Sequence, residues 1–479
     1  MQDFEPVVGM ECHAELLTQS KMFCGCRNEF GGEPNTRCCP VCMGMPGALP
    51  VMNRKAVEHV IRTALALNCT INRDAKFDRK NYFYPDLPKG YQISEYDRPI
   101  GIKGWLDIDV NGESKRIHIL RVHLEEDTGK LFHVPGDTKE SYIDLNRSGV
   151  PLMEIVTDFP PDIRSSDDAR AYLVKLRAIL TYIDVCDGKM EEGSLRCEPN
   201  VSIRAAGSDT YGTKTEIKNL NSFRAVQRGI DYECERQAEL LRRGEKIPQE
   251  TRGWSEANQA TFPQRSKEVE QEYRYFPEPD LVPLSISDEW IEEIRSSMPE
   301  LPDARLTRFV RDYGLPLTDS AQLTETRAMA DYFEVATAAC GDAKLVSNWM
   351  MGDLMRLMNS AGTGIGESAI SPESLAAMIT RISDGTISGK IAKTLIEEMF
   401  ATGKHPDAII ADRGWKTIRD AGAVAAIVDQ VIADNAQVVS DIRERGLTQK
   451  RGFLVGQVMK ASQGKADPQE VNRLLDERL

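Results

Sequence analysis

A carboxylate in the middle of an apolar run constrains this chain more than any other feature. Pro151-Leu-Met-Glu-Ile-Val156 has the texture of a buried strand, yet Glu154 sits inside it. Burying an ionised acid is costly unless something cationic meets it. The run is entered through Asp144-Leu-Asn-Arg-Ser-Gly-Val150, an acid, an amide and a guanidinium followed by turn chemistry. Further acids of this kind recur through the first half of the chain and suggest convergence on one site.

The pattern around that run is strand-rich. Pro6–Leu16 alternates with period two, so Glu11, His13 and Glu15 share one face and Met10, Cys12, Ala14 and Leu16 the other. Residues 20–50 are loop-like, and Asn53 caps an amphipathic helix over 53–67. Residues 76–96 are aromatic and irregular. Strands at 101–110 and 115–126 flank an Asn111-Gly112 turn. Helices at 165–182 and 222–243 bracket a strand near 195–205, and Gly244 ends the second helix. From about Ser287 strand patterns vanish. Helical segments recur near 288–297, 303–313, 320–340, 342–360, 372–383 and 388–402, and Gly403-Lys-His-Pro406 opens a last helical stretch. The expected class is α+β: a mixed or antiparallel sheet domain over 1–293, an all-helical domain over 294–405 and a small helical tail over 406–479.

The net charge of −14 argues against a protein that coats DNA. The deficit lies in residues 1–405. Residues 406–479 hold 11 basic and 11 acidic side chains, so a nucleic acid meets less repulsion there. No apolar run reaches membrane-spanning length, and the N-terminus resembles neither a secretion signal nor a transit peptide. The expected location is the cytoplasm, where the 11 cysteines would not form a disulfide framework.

Five of those cysteines fall between Cys24 and Cys42. Cys24-Gly-Cys26 and Cys39-Pro-Val-Cys42 are two close pairs across a short loop, a spacing suited to tetrahedral zinc; buried free thiols are the bland alternative. Cys38 could substitute for Cys39. Four thiolates would make a structural knot.

The acids form a second set. Glu11 and His13 share a strand face, Glu125, Glu126 and Asp127 end another strand, Glu154 lies on a third, and Glu191 and Glu192 open a fourth. Basic companions are Lys130, Arg147, Arg196, Lys214 and Lys218. Acids and bases at strand ends suit a metal-bridged nucleotide phosphate, with Mn²⁺ as well as Mg²⁺ acceptable beside a histidine. Scattered salt bridges are the competing reading. No GxxxxGK[ST] loop or HExxH is present, and Gly362-Thr-Gly-Ile-Gly366 reads as a linker. Cys12 faces away from His13 by strand alternation, which favours a core thiol over a nucleophile. The run Lys80–Gln92 and Tyr273–Asp280 could line a channel, stack bases or pack as loops.

These motifs resemble the B subunit of the tRNA-dependent amidotransferase, the heterotrimer that makes Gln-tRNA(Gln) and Asn-tRNA(Asn). The matching stretches are Gly9–Leu16, Tyr82–Gln92, His123–Lys130, Asp144–Ile155, Met190–Cys197, Lys214–Phe223 and Phe453–Lys460. Cys12 and Ala14 stand where that family commonly has valine. The resemblance implies a cradle-shaped first domain and a tail like that of the YqeY family, approaching tRNA. It implies a glutamine-hydrolysing carbon–nitrogen ligase. ATP would phosphorylate the side-chain carboxylate of Glu-tRNA(Gln) or Asp-tRNA(Asn), and ammonia from an amidase subunit would arrive through a tunnel; a small third subunit would clasp the pair. It places Mg²⁺ on His13, Glu126 and Glu154, with Glu11 close by, and zinc on Cys24, Cys26, Cys39 and Cys42. Asp144, Asn146, Arg147, Lys214 and Lys218 become candidates for holding nucleotide or substrate, and Lys80 and Lys89 for steering charge at the tunnel mouth. The alternative is a non-catalytic, zinc-stabilised tRNA-binding scaffold.

Overall fold

Alternating side chains along one long strand organise the first unit. In the computed structural model, which describes residues 3–133, 140–266, 273–415, 421–445, 448–462, 466 and 468–479, β1 (Phe4–Glu15) buries Val8, Met10, Cys12 and Ala14 and turns Glu11, His13 and Glu15 to the opposite face. Around it lie α1 (Arg54–Ala66), β2 (Asp78–Asn81), β3 (Tyr91–Ser94), β4 (Gly101–Val110), β5 (Glu113–Glu126), β6 (Pro151–Thr157), α2 (Ser166–Tyr182), β7 (Leu195–Ala205), β8 (Thr215–Lys218), α3 (Phe223–Arg242), β9 (Glu250–Ser255), β10 (Ala260–Ser266) and β11 (Phe276–Pro277). They build a twelve-stranded sheet in the order β10-β9-β8-β7-β1-β6-β5-β3-β2-β11, with β4 branching from β5 and the short strand Thr70–Ile71 pairing with β4. Only β8 and β9 run parallel among these pairs, so the sheet is mixed and mainly antiparallel.

The helices cover one face. Val57, Val60 and Ile61 of α1, Leu173 and Leu176 of α2, and Val226 and Ile230 of α3 join Met10, Cys12, Met153, Ile155 and Cys197 in a continuous core. Local chemistry sets the element ends. Asn53 Oδ1 accepts the Lys55 and Ala56 amides, Ser165 caps α2 and Ser222 caps α3. Asn111 and Gly112 both take positive φ, as the two-residue turn between β4 and β5 requires. Residues 76–96, expected to be irregular, instead contain the β2–β3 hairpin, with Lys80 opposite Gln92.

The second unit begins at Pro302. The helix expected over 320–340 breaks between Leu323 and Arg327, where Thr326 caps a new helix over Arg327–Cys340. The 342–360 segment is helical but passes through one π turn at Met350–Leu354. One cluster runs from Phe309 to Ile410 and another from Val424 to Leu475. The helix Pro406–Arg413 buries Ile409 and Ile410 in the first cluster, so the tail's own core starts at Val424.

Glu95 is a buried acid just beyond β3. Its Oε2 accepts the Ile100 and Leu124 amides at 3.2 and 3.1 Å. Burial pushes its carboxyl up to about 8. A raised carboxyl binds its proton more tightly folded than unfolded, so the contribution is full below the ordinary 4.5 and is lost as pH rises through about 8. Glu95→Gln should therefore flatten the decline of melting temperature between pH 5 and 9. At pH 9 it should recover on the order of 1–3 kcal/mol, the usual penalty of an uncompensated buried group. Denaturation of both proteins across that range measures this.

Candidate active site

Antiparallel register lines up a polar row on the open face of the sheet. In β6 Glu154 pairs with His13 of β1 on one side and His123 of β5 on the other; His13 in turn faces Arg196 of β7. Residues directly opposite in neighbouring strands share a face. The sequence Arg196–His13–Glu154–His123 therefore crosses four strands abreast. Here the cation demanded by Glu154 is found: His123 Nε2 stands 3.0 Å from its Oε2, both side chains buried. Burial works against charge on His123, but Glu154 and Glu125 outweigh it and raise the imidazole to about 9. Burial likewise opposes the Glu154 carboxylate, and His123, His13 and Lys80 hold it well below the usual carboxylate range.

Glu125 completes the group. It lies 3.8 Å from both His13 and His123 and accepts the Ser94 hydroxyl at 3.1 Å. His13, Glu125 and Glu154 each present a ligand atom within 4.8 Å of the others. Two carboxylates and an imidazole suit a hard or borderline divalent cation such as Mg²⁺ or Mn²⁺. The structure brings Glu125, not Glu126, to His13 and Glu154. Strand alternation aims Glu126 away, where its Oε1 accepts Lys89 and the Ile93 amide. Period two was readable in Arg121, His123 and Glu125 against Val122 and Leu124, and it selects Glu125.

A second acid group, Glu11, Glu198 and Glu216, lies beside the row. Lys218 joins it, with Nζ 2.8 Å from Glu198 and 3.3 Å from Glu216. Asn200 donates to Glu11 at 2.9 Å. Burial and then Glu154 raise the Glu11 carboxyl. Glu198 and Glu216 were not singled out from sequence, because each looks like an ordinary strand acid until β7 and β8 pair. Glu191 and Glu192 are exposed surface residues, with Glu192 bound to Lys189, and do not join the row. Lys80 does: it is raised despite burial by Glu125, Tyr275 and Glu154, with Nζ 5.1 Å over the Tyr273 ring. The aromatic segments thus form walls, with Tyr82 edge-on to Tyr273 and Tyr96 stacked on Tyr275 at 4.0 Å.

Asp144 and Asn146 are not brought to the row either. Asp144 Oδ1 accepts the Asn35 and Asn146 amides, while Asn146 accepts the Arg37 amide and donates to the Glu33 carbonyl. Arg147 donates to the carbonyls of Thr128 and Gly129 and stands 3.6 Å from Asp127, which also binds Arg196 at 2.6 Å. Ser148 donates to the Cys42 carbonyl at 2.9 Å. This half of the motif laces the cysteine loop onto the base of β6. Lys130 opens a short hairpin opposite Asp144. Cys12 is a core thiol, pushed up by its contact with Cys197 and by burial.

The loop carries a sulfur cluster. Cys24, Cys26, Cys39 and Cys42 place their Sγ atoms within 4.8 Å of one another. The Cys39 amide donates to Cys42 Sγ at 3.0 Å, and the Cys42 thiol is lowered to about 4 by a hydrogen bond with Cys24, then by that amide and by Lys21. Cys38 points out of the cluster, to the Asn35 carbonyl at 3.3 Å. Four sulfurs at this spacing fit tetrahedral Zn²⁺. With Co²⁺ as a probe, the wild type and Cys38→Ser should both show intense thiolate-to-cobalt absorption. Cys42→Ser should lose most of it, and equal spectra in all three would remove the cluster from consideration.

Comparison with known proteins identifies the family. The family model of the GatB/GatE catalytic domain matches residues 6–292, and that of the GatB domain matches residues 331–479. The B subunit of the aspartyl/glutamyl-tRNA(Asn/Gln) amidotransferase of Moorella thermoacetica is 55% identical over 478 residues, covering 100% of both chains. That of Carboxydothermus hydrogenoformans is 53% identical over 482 residues, covering 100% of this chain and 99% of its own. That of Brevibacillus brevis is 52% identical over 479 residues with the same coverage. No helix among the described residues is long and apolar enough to cross a membrane. With a register that assembles the acid row and relatives matched from end to end, the chain belongs to the family of amidotransferase B subunits.

Proposed function

We propose that this chain is the ATP-dependent subunit of a cytoplasmic tRNA amidotransferase. It activates the side-chain carboxylate of Glu-tRNA(Gln), Asp-tRNA(Asn) or both as an acyl phosphate and presents it to ammonia. A carboxylate resists amination because it would have to expel oxide; phosphorylation supplies a leaving group. An amidase subunit delivers the ammonia through a tunnel, and a small third subunit completes the heterotrimer. The observation that carries this reading is the convergence of His13, Glu125 and Glu154 on one open sheet face beside the half-buried Lys80.

The chain's own residues do most of the work by position. His123 fixes Glu154 as an anion. Lys80, with its ammonium near Glu125 and Glu154, offsets charge as the phosphoryl group moves. Lys214 and Lys218 reach the same face from the β8 side. When bound, Mg²⁺ or Mn²⁺ on His13, Glu125 and Glu154 would neutralise and align the phosphates. Glu11 lies close enough to feel Glu154 and belongs to the neighbouring acid group. Zn²⁺ on Cys24, Cys26, Cys39 and Cys42 would pin the loop that Asp144, Asn146 and Ser148 hold. Three parts divide the labour: the sheet domain carries the chemistry, the middle helices connect, and the charge-balanced tail contacts tRNA, with the last boundary after Gly414 because of Ile409 and Ile410. A purely scaffolding role is not favoured, since it gives no reason to gather two buried acids beside a half-buried lysine.

In the complex with its partners, Glu125→Gln and Glu154→Gln should each lower misacylated-tRNA-dependent ATP hydrolysis at least 100-fold. Glu126→Gln, which touches Lys89 rather than the row, should lower it much less. Full activity in both of the first two variants would refute the assignment.

A further inference from the structure

One buried cation stands apart from the acid row. Lys21 is wholly excluded from water, a rare state for a lysine. Its backbone is fixed at both ends. The amide donates to the Cys26 carbonyl at 2.9 Å, and the carbonyl accepts the Asn53 side-chain amide at 3.3 Å. Met22 and Phe23, which follow it, are buried in the core of the first unit. The lysine stem runs past Gly149, where a Cβ would stand 3.7 Å from both Lys21 Cδ and Cys42 Cβ. The ammonium ends on the Leu145 carbonyl at 3.2 Å.

A peptide carbonyl does not neutralise an ammonium, and a buried cation without an anion is costly. Among the described residues no carboxylate pairs with Lys21. Glu126, on the other side of Gly149, is taken by Lys89 and the Ile93 amide. The anions that remain are sulfurs, and the charge of Lys21 is felt at Cys42 and Cys38. Four thiolates around a divalent cation carry two negative charges more than the ion offsets. The Cys39 amide donates to Cys42 Sγ, which spreads that charge without cancelling any of it. A fixed ammonium beside Cys42 cancels half. Groups of this kind, behind the ligands rather than on the metal, set how tightly a centre holds its ion.

We propose that Lys21 is the built-in counter-cation of the sulfur cluster. Enclosed between Cys42 and Leu145, it stabilises the zinc-loaded, fully ionised form and keeps the thiolates from attacking electrophiles. It acts through its charge. It also joins the cluster to the motif that enters β6, since Leu145 lies between Asp144 and Asn146. This rests on the zinc reading of the four cysteines.

The test uses the full chain with its partner subunits, loaded with Zn²⁺ or with Co²⁺, and two variants. Lys21→Met keeps a stem of similar length and suits a core, whereas Lys21→Arg keeps the charge. Removing a positive charge beside the sulfurs raises the energy of their electrons. The thiolate-to-cobalt absorption of Lys21→Met should therefore move to longer wavelength, and that of Lys21→Arg should stay near the wild type. On the zinc-loaded protein, iodoacetamide alkylates a thiolate, forming a sulfur–carbon bond as iodide leaves, and the freed zinc is read with a chelating dye. Zinc release from Lys21→Met should be at least tenfold faster than from the wild type, and its zinc affinity at least tenfold weaker. An unchanged absorption energy together with an unchanged release rate in Lys21→Met would overturn the proposal. Equal shifts in the Met and Arg variants would do so too, because they would assign the role to the shape of the stem. A wild type that takes up neither metal would sink the zinc reading itself.

Discussion

The rest of the first unit depends on one buried ion pair, Glu154 against His123, formed between neighbouring strands in the middle of a sheet. Replacing one partner alone would leave the other buried with only its more distant partners, Glu125 for His123 or His13 and Lys80 for Glu154, a loss of up to about 3–5 kcal/mol. The pair holds only if β5, β6 and β1 keep their register, because a one-residue slip sends each side chain to the other face. That register is the same one that buries Met153, Ile155 and Cys12 under the helices. Core packing and site assembly are thus one constraint.

The motif that enters β6 serves two ends. Asp144, Asn146 and Ser148 fasten the cysteine loop, and Glu154 a few residues later anchors the row. A knot at the sulfur cluster would steady the approach to the strand, which sets where Glu154 stands. The two sets of ligands are chemically unlike, soft thiolates against carboxylates and imidazole, so each selects its own metal.

Much of this was legible in the residues. Period two along β1 places Glu11 and His13 on one face, and the incongruity of Glu154 in an apolar run points to a cation. Asn111-Gly112, Asn53 and Gly244 marked turns and ends through ordinary backbone chemistry. Glu125 and Glu126 are adjacent acids, and only strand phase carried from His123 tells which of them faces Glu154. Glu198 and Glu216 were hidden because sequence does not disclose which strands lie side by side. Asp144 and Asn146 misled for a related reason: their partners, in residues 33–37, are more than a hundred positions away in the chain.

The central claim is that the row around Glu154 holds a divalent cation through His13. Mn²⁺ provides the most direct test, since its electron spin reports a directly bound nitrogen. Pulsed electron paramagnetic resonance on the Mn²⁺-loaded chain should show ¹⁴N coupling from one imidazole, and His13→Gln should abolish that coupling. Absence of nitrogen coupling in the wild type, or its persistence in His13→Gln, would contradict the account.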